Sequence, residues 1–274
     1  MLNYITWNPD GTLIDFGFYQ LRWYSILFGM GFVLGYQFVK WRFKRDNVNI
    51  KSLDKLAVYL VLGTIVGARL GHCIFYEWDY YQNHLMEILL PFRFSPTFEF
   101  IGYRGLASHG GGAGVIVALL IFAWREKISK IWILDTIALV IPLAAACIRL
   151  GNLMNSEIIG SPSNVSWAFI FQKIDNIPRH PAQLYEAISY LFIFGILFLL
   201  NKKQNFREGF ILGAMLVLMF TARFFIEFLK ADQSAFEANM TLNMGQWLSI
   251  PYFILGWIFI RLSFIRLSLK TTKS

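Results

Sequence analysis

Charged residues, cysteines and histidines are all scarce in this chain. Only 15% of its 274 residues are charged, whereas 56% are hydrophobic and 18% are aromatic, and the mean hydropathy is +0.50. This composition excludes an ordinary soluble domain and is typical of an integral membrane protein. The two cysteines lie in apolar runs, so no disulfide framework is expected. The four histidines and these cysteines show no metal-ligand spacing, and we expect neither a metal nor a cofactor.

The chain also lacks an internal repeat, a low-complexity segment and a linker that would separate two domains. We therefore expect a single polytopic membrane domain over residues 1–274. Residues 1–17 lack the basic n-region of a cleaved signal peptide, so the first hydrophobic helix is expected to be retained. Residues 150–181 are rich in turn-forming residues and contain a predicted short strand at 167–171, which indicates a small external subdomain.

Long hydrophobic runs dominate the rest of the sequence. Seven of them approach the roughly 20 apolar residues that a membrane-spanning helix needs. They cover approximately residues 18–40, 54–76, 105–124, 131–150, 182–200, 209–229 and 245–263. The sequence therefore predicts an all-α integral membrane protein with seven transmembrane helices.

The distribution of Lys and Arg predicts the orientation of these helices, because basic residues collect in short cytoplasmic loops. They concentrate in every second connection, at residues 40–55, 125–130, 202–207 and 261–273. We therefore expect the N-terminus outside and the C-terminus inside. The net charge of +8 is spread over these connections. Anionic membrane lipids are nearer partners for it than nucleic acid, which we do not expect to bind.

Several isolated polar side chains lie within the hydrophobic runs. A helical rise of about 1.5 Å per residue places them at similar predicted depths, near the outer face of the membrane. They include Tyr24, Arg69, His109, Arg149, Gln183, Glu186 and Arg223. Inserting an arginine at the bilayer centre costs roughly 2.5 to 3.5 kcal/mol of free energy. Each arginine taken alone is therefore more simply explained as a side chain that reaches toward the interface or forms an ion pair. Arg223 and Glu227, at spacing i,i+4, also fit an intrahelical pair. Together, the arginines predict an anion site, with a lipid phosphate of the outer leaflet as the nearest candidate.

Residues 105–114 combine five glycines and Ala residues with His109 at the start of a helix. Glycines there permit close approach of a ligand to the backbone, and a helix N-terminus attracts phosphate. Gly110 and Gly114 equally fit small-residue packing between helices. That alternative does not explain His109, a side chain suited to proton transfer near neutral pH, although a lone interfacial histidine is more often a hydrogen-bonding residue.

A second polar motif runs from Arg149 to Gly160. Arg149 and Asn152 share a helix face at spacing i,i+3, and the following loop presents Asn155 and Glu157 at the membrane surface. Asparagine amides can bind glycerol hydroxyls or phosphate oxygens, and Glu157 can hold an arginine in position. The residues from Arg149 to Gly160 can equally be interpreted as the cap of a helix end.

These motifs and their order resemble those of the bacterial prolipoprotein diacylglyceryl transferase family, over nearly the whole chain. The similar segments are Arg22-Trp23-Tyr24, Gly67-Ala68-Arg69-Leu70-Gly71, His109-Gly110-Gly111, Arg149-x-Gly151-Asn152-x-x-Asn155-x-Glu157-x-x-Gly160, Arg179-His180-Pro181-x-Gln183-Leu184-Tyr185-Glu186, Arg223-x-x-x-Glu227-Phe228 and Met244-Gly245-Gln246-x-Leu248-Ser249-Ile250-Pro251. Two positions depart from the family pattern. Met219 stands where a Tyr is expected, and Lys230 stands where an Arg is common.

The resemblance implies transfer of the diacylglyceryl group of phosphatidylglycerol to the lipobox Cys thiol of a prolipoprotein signal peptide, with formation of a thioether and release of glycerol 1-phosphate. It also implies a location in the bacterial cytoplasmic (inner) membrane, with the active site toward the outer leaflet. His109 is then the candidate base for a thiol with a pKa near about 8.5. It can instead hydrogen-bond the phosphate while another group or water takes the proton.

Arg149 and Arg223 are the candidate groups that stabilise the leaving phosphate as its negative charge develops. Arg149 is also expected to bind phosphatidylglycerol. The other residues expected to bind or position it are Tyr24, Arg69, Gly110, Gly111, Asn152, Asn155, Glu157, Gly160 and Glu227.

Two other classes of membrane protein also place polar groups inside a bundle. A transporter for an organic anion is the main alternative, but such folds usually show duplicated halves and interrupted helices that meet at the midplane. An intramembrane serine protease needs a Ser and a His from separate positions, whereas Ser108 and His109 are adjacent.

Overall fold

The computed structural model describes residues 4–18, 20–90, 92–94, 97–100, 102, 105–203, 207–232, 237 and 240–271. The helices in these ranges are α1 (Trp23–Arg45), α2 (Lys51–Phe75), α3 (Trp78–Tyr81), α4 (Met86–Leu89), α5 (Ser108–Arg125), α6 (Lys130–Asn155), α7 (Ala182–Lys202), α8 (Phe210–Glu227) and α9 (Met244–Thr271). The strands are β1 (Ile5–Trp7), β2 (Thr12–Asp15), β3 (Gln20–Arg22), β4 (Phe92–Arg93), β5 (Glu99–Phe100), β6 (Phe169–Phe171) and β7 (Pro178–Arg179).

The chain is mostly helical, and each predicted hydrophobic run coincides with a long helix. Within the described residues, five helices are long and apolar enough to cross a membrane, namely α2, α6, α7, α8 and α9. Helix α5 is apolar but shorter over residues 109–125. Helix α1 begins later than predicted, at Trp23, because residues 20–22 pair with β2 as an antiparallel strand. These elements are those of an integral membrane protein, with small sheets added to the expected all-α architecture.

The chain divides into two compact units. Unit 1 comprises Met1–Val39 and Leu134–Ser274, and unit 2 comprises Lys40–Ile133. The core of unit 1 is built from apolar side chains of α6, α7 and α8, including Leu139, Leu197 and Met215. Met219 packs against this core. An apolar side chain at that position therefore suits its surroundings, which accounts physically for one departure from the family pattern.

A three-stranded sheet in unit 1 has the order β1-β6-β7, with β1 parallel and β7 antiparallel to β6. Strand β6 lies within the predicted 167–171 strand, which confirms that prediction. Phe169 and Phe171 of β6 are buried against Leu153 of α6. The Trp7 indole N–H donates to the Leu153 carbonyl oxygen at 2.9 Å. The sheet thus fixes the end of α6, where the second polar motif begins.

In unit 2, helices α2 and α5 pack backbone to backbone through glycines. A Cβ atom added to Gly63 would lie 2.7 Å from the carbonyl oxygen of Gly114, and one added to Gly71 would lie 2.7 Å from the Cα of Gly110. No side chain fits at such a crossing. The small-residue packing interpretation of Gly110 and Gly114 is therefore confirmed.

Candidate active site

Arg149 and Asn152 lie on one face near the end of α6, which continues to Asn155 rather than ending at about residue 150. The Nη1 atom of Arg149 donates to the Oδ1 atom of Asn152 at 3.2 Å. This hydrogen bond confirms the shared face that was predicted from the i,i+3 spacing. The extra turn of helix forms because Leu153 is buried against the sheet described above.

Glu157 is held by amide groups. Its two carboxylate oxygens accept hydrogen bonds from the Nδ2 atoms of Asn152, at 2.9 Å, and Asn155, at 3.1 Å. The two flanking residues, Ser156 and Ile158, both have φ of 56°. Positive φ is rare for a β-branched residue and marks local backbone strain. Among the described residues Glu157 forms no ion pair with an arginine. It is linked to Arg149 through Asn152, whose side chain is hydrogen-bonded to both.

Glu186, at the start of α7, is the acidic partner of Arg149. Its side chain is fully buried, and its Oε2 atom lies 2.8 Å from the Nε atom of Arg149. The N–H bond of Nε does not point along this line, so the contact is an ion pair rather than an aligned hydrogen bond. The other oxygen, Oε1, accepts from the Tyr190 hydroxyl at 3.1 Å. Sequence reasoning placed Glu186 at this depth but did not pair it with Arg149.

Lys230 completes a network of four buried or nearly buried charges. Its Nζ atom lies 3.1 Å from Glu186 Oε1 and 2.9 Å from Glu227 Oε2. Arg149 and Lys230 thus balance Glu186 and Glu227. In the sequence alone, Lys230 stands out only as a departure from the family pattern. The i,i+3 spacing of Glu227 and Lys230 was a signal of this pair that was available in the sequence.

Arg223 lies one turn before Glu227 on α8 but does not pair with it, because Glu227 binds Lys230. Over the part of the chain that the structure describes, the partly buried Arg223 forms no hydrogen bond and no ion pair. The intrahelical alternative is therefore not what the structure contains. A guanidinium of this kind retains all its donors for an anion.

Two further predicted residues of unit 1, Tyr24 and Gly160, lie close to this network. A Cβ atom at Gly151 would lie 2.8 Å from Cδ2 of Tyr24, so α1 crosses α6 closely between Arg149 and Asn152. The Gly160 N–H donates to the His180 carbonyl oxygen at 3.1 Å, and Gly160 forms a bridge with Lys230. A side chain at Gly160 would overlap the His180 carbonyl. Packing therefore accounts for this glycine.

His109 is the second residue of α5, in unit 2, and it is exposed. No described residue forms a hydrogen bond or an ion pair with its ring. Its neighbour Gly110 is packed against Gly67 and Gly71, so the helix crossing, rather than a ligand, accounts for that glycine. Gly111 has more space, with the nearest side-chain atom 3.5 Å from an added Cβ.

Arg69 is buried in unit 2 and binds backbone. Its Nη2 atom donates to the Glu87 carbonyl oxygen at 2.7 Å and its Nε atom to the Ile88 carbonyl oxygen at 3.1 Å. Its guanidinium also lies 4.9 Å from the ring centroid of Tyr81. Arg69 thus fastens the segment that contains α3 and α4 to helix α2, and its expected contact with a lipid headgroup stays a prediction.

The carboxylate of Glu87 is held by hydrogen bonds within this segment. Burial alone would raise the pKa of Glu87, but hydrogen bonds from the Phe94 N–H and the Tyr80 hydroxyl outweigh burial and hold the pKa below its ordinary value. The donors lie at 2.9 Å and 2.8 Å respectively.

The predicted site residues thus fall into two groups. Unit 1 contains Tyr24, Arg149, Asn152, Asn155, Glu157, Gly160, Arg223 and Glu227, and unit 2 contains Arg69, His109, Gly110 and Gly111. The predicted meeting of both groups in one pocket stays a prediction. Within unit 1, the oriented Arg149, the two asparagines and the guanidinium of Arg223, which has no counterion among the described residues, are groups suited to bind a phosphate diester.

The chain is similar to known proteins over nearly its whole length. The family model described as prolipoprotein diacylglyceryl transferase matches residues 11–262. A Bacteroides fragilis protein named phosphatidylglycerol–prolipoprotein diacylglyceryl transferase is 45% identical, over 93% of this chain and 94% of its own length. Proteins of the same name from Tolumonas auensis and Chloroherpeton thalassium are 43% and 41% identical. These alignments cover 94% and 98% of this chain and 96% and 98% of the relatives.

Proposed function

The chain belongs to the prolipoprotein diacylglyceryl transferase family, and we propose for it the reaction that its relatives' names give, transfer of a diacylglyceryl group from phosphatidylglycerol to a prolipoprotein. The protein is a transferase that acts in the first step of lipoprotein maturation. An anion transporter is not favoured. The acceptor in this proposal is the lipobox Cys thiol of the signal peptide, and the products are a thioether and glycerol 1-phosphate.

The observation that supports this proposal best is the way Arg149 is held. Glu186 lies beside its Nε atom and Asn152 accepts from its Nη1 atom. Among the described residues, none accepts from Nη2. A guanidinium that is held at Nε and Nη1 and open at Nη2 is prepared for a phosphate oxygen before substrate arrives. Such preorganised donors stabilise charge that develops in the transition state.

The chemical step is a displacement at carbon. The thiol loses its proton to a base, and the thiolate sulfur forms a bond to the glyceryl carbon. The carbon–oxygen bond to phosphate breaks, and its electron pair stays on the phosphate oxygen, which leaves as glycerol 1-phosphate. Arg149 and Arg223 stabilise that oxygen, because the leaving group gains negative charge as the bond breaks.

His109 is the proposed base. An exposed ring to which no described residue is hydrogen-bonded is free to accept a proton from a thiol that approaches it. The alternative role, hydrogen bonding to the phosphate while water takes the proton, stays open to the same experiment.

The remaining predicted residues are proposed to bind or position phosphatidylglycerol. Asn152 and Asn155 each have an amide oriented by Glu157. Their binding to the headgroup is proposed from this orientation. The other members of the proposed set are Tyr24, Arg69, Gly110, Gly111, Gly160 and Glu227.

We also propose seven membrane-spanning helices in the bacterial cytoplasmic membrane, with the N-terminus outside and the site toward the outer leaflet. The alternation of basic and non-basic connections supports this orientation. The expected partners are phosphatidylglycerol, other membrane lipids and the prolipoprotein signal peptide.

The reaction is tested with purified protein, phosphatidylglycerol and a lipobox peptide. The expected results are a peptide mass increased by one diacylglyceryl group and an equal amount of glycerol 1-phosphate. A matched peptide with Ser in place of Cys should gain no mass. If neither product formed and liposomes containing the protein took up an anion, the result would favour the anion transporter.

The proposed roles are tested by His109→Ala and Arg149→Ala. Each is expected to reduce turnover by at least roughly 10²-fold, as losses of positioned catalytic groups do, while the thermal unfolding midpoint of the His109 variant stays unchanged. Arg149→Lys separates charge from geometry, because an ammonium cannot reproduce the two-edged contacts of a guanidinium. Full activity in either alanine variant would remove that residue from the mechanism.

A further inference from the structure

Lys230 joins the two buried carboxylates of the Arg149 network. Its side chain is 1% exposed, and its Nζ atom lies within 3.1 Å of both Glu186 and Glu227. Its backbone forms an isolated bridge with Gly160, which anchors the base of the side chain next to the Arg149 motif. Two of its three ammonium donors are thus occupied by carboxylates in a site closed to solvent.

The charges of the network depend on one another because they are buried. Glu186 is shared, since one of its oxygens faces Arg149 and the other faces Lys230. Glu227 has Lys230 as its ion-pair partner among the described residues. A buried charge that loses its partner is strongly unfavourable. Without Lys230, both carboxylates would compete for the guanidinium of Arg149.

Arg149 needs donors that are free of carboxylates if it is to bind phosphate. In the observed arrangement Glu186 lies against its Nε edge and leaves Nη2 without a described acceptor. A second carboxylate drawn to Arg149 would occupy Nη2 and oppose the negative charge that develops on the leaving phosphate. The ammonium of Lys230 prevents this by neutralising the carboxylates from the other side.

We propose that Lys230 is a positioning residue for the transfer reaction: it pairs with Glu186 and Glu227 and so keeps Nη2 of Arg149 available to the phosphate of the lipid. This inference rests on the proposed function. It assigns Lys230 no contact with the substrate. The charge of the side chain, rather than its length, is what the role requires.

The test measures kcat and KM for phosphatidylglycerol with Lys230→Met, Lys230→Arg and the control Lys55→Met. Lys230→Met is expected to lower kcat by about 10- to 100-fold, because Arg149 loses its orientation, while KM changes by less than about threefold. Lys230→Arg keeps the charge and should retain most of kcat. Lys55 pairs with Glu126 but is 58% exposed, so its substitution should change neither constant.

A double variant tests the charge balance directly. Lys230→Met with Glu227→Gln removes one charge of each sign, so its kcat should exceed that of Lys230→Met. If Lys230→Met does not fold, the double variant is compared with Glu227→Gln, and an equal or higher kcat is expected. Strictly additive losses would overturn the proposal, because independent roles add whereas coupled charges do not.

Two other outcomes would also overturn the positioning role. Wild-type kcat in Lys230→Met would show that the lysine is not needed, and a raised KM at unchanged kcat would show that it binds the lipid directly. Failure of the wild-type protein to form product would contradict the proposed reaction itself. An active wild-type protein beside an unaffected Lys230→Met would contradict the positioning role alone.

Discussion

At the scale of single residues, Asp175 shows how the segment between α6 and α7 is held. Arg179 donates to its carboxylate through Nη2 at 2.6 Å and through Nε at 3.1 Å. The Arg179 guanidinium therefore holds the pKa of Asp175 below its ordinary value of 3.8. Arg179 also donates to the Gly160 carbonyl oxygen at 3.3 Å. The carboxylate thus orients a side chain that binds the end of the Arg149 motif.

This ion pair predicts a pH dependence. Because the folded-state pKa is lowered, the pair stabilises the fold above the unfolded-state pKa of about 3.9, and that contribution is lost as the pH falls through the lower folded-state value. We expect Asp175→Asn to lower stability at pH 7 by at most about 1 kcal/mol, as partly exposed pairs do. The difference from wild type should begin to shrink near about pH 4 and be lost as the pH falls through the lower folded-state pKa.

Thermal unfolding midpoints of the detergent-solubilised protein between about pH 2 and pH 7 would measure this difference. Asp79→Asn is the matched control, because the exposed Asp79 forms no ion pair among the described residues. A difference between wild type and Asp175→Asn that stayed constant over the whole range would contradict the assignment.

The site residues divide into those that spacing reveals and those that it does not. Arg149 and Asn152 could be paired from the sequence, because helical periodicity places i and i+3 on one face. Glu186 and Lys230 are 44 residues apart, and no periodicity relates them. The need of a buried arginine for a counterion predicts that an acid is present. Only the fold shows which acid it is.

At the scale of elements, the crossing of α2 and α5 depends on glycine. A Cβ atom at Gly67 would overlap the Gly110 carbonyl oxygen and lie 2.7 Å from the Cα of Gly114. Backbone atoms cannot move aside as side-chain ends can, so the two helices would have to separate.

Gly67→Leu should therefore destabilise the protein by about 1 to 3 kcal/mol or more, as overpacking does. Gly112→Ala is the matched control on the facing helix, because an added Cβ there meets nothing within 4 Å. It should leave the unfolding midpoint unchanged or raise it slightly, since alanine favours the helix. Equal midpoints for Gly67→Leu and wild type would show that the crossing tolerates a larger separation.

The positions of the long helices could be predicted because apolar runs of this length have few other solutions in a membrane. The ends of these helices could not be predicted from the sequence, because tertiary contacts determine where each helix stops. Helix α6 gains its last turn from the contact between Leu153 and strand β6. Strand β1 pairs with β6 across most of the chain, and local sequence contains no signal for such a distant partner.

At the scale of the whole molecule, the distribution of charge predicts which ends of the helices share a side of the membrane. Helix α7 is informative, because it has Gln183 and Glu186 at one end and Lys202 at the other. It meets the length and hydropathy of a membrane span. Basic residues at its last turn belong on the cytoplasmic side.

We therefore expect Asn164 and Lys203, which precede and follow α7, to lie on opposite sides of the membrane. Both are exposed, as are Asp10 and Lys127. Single cysteines at these positions, in a variant that lacks the buried Cys73 and Cys147, can be labelled with a membrane-impermeant maleimide on intact spheroplasts. Positions 10 and 164 should react directly, and positions 127 and 203 only after permeabilisation. Labelling of 164 and 203 from the same side would mean that α7 does not cross the membrane, and the outer-leaflet location proposed for Arg149 would then lose its support.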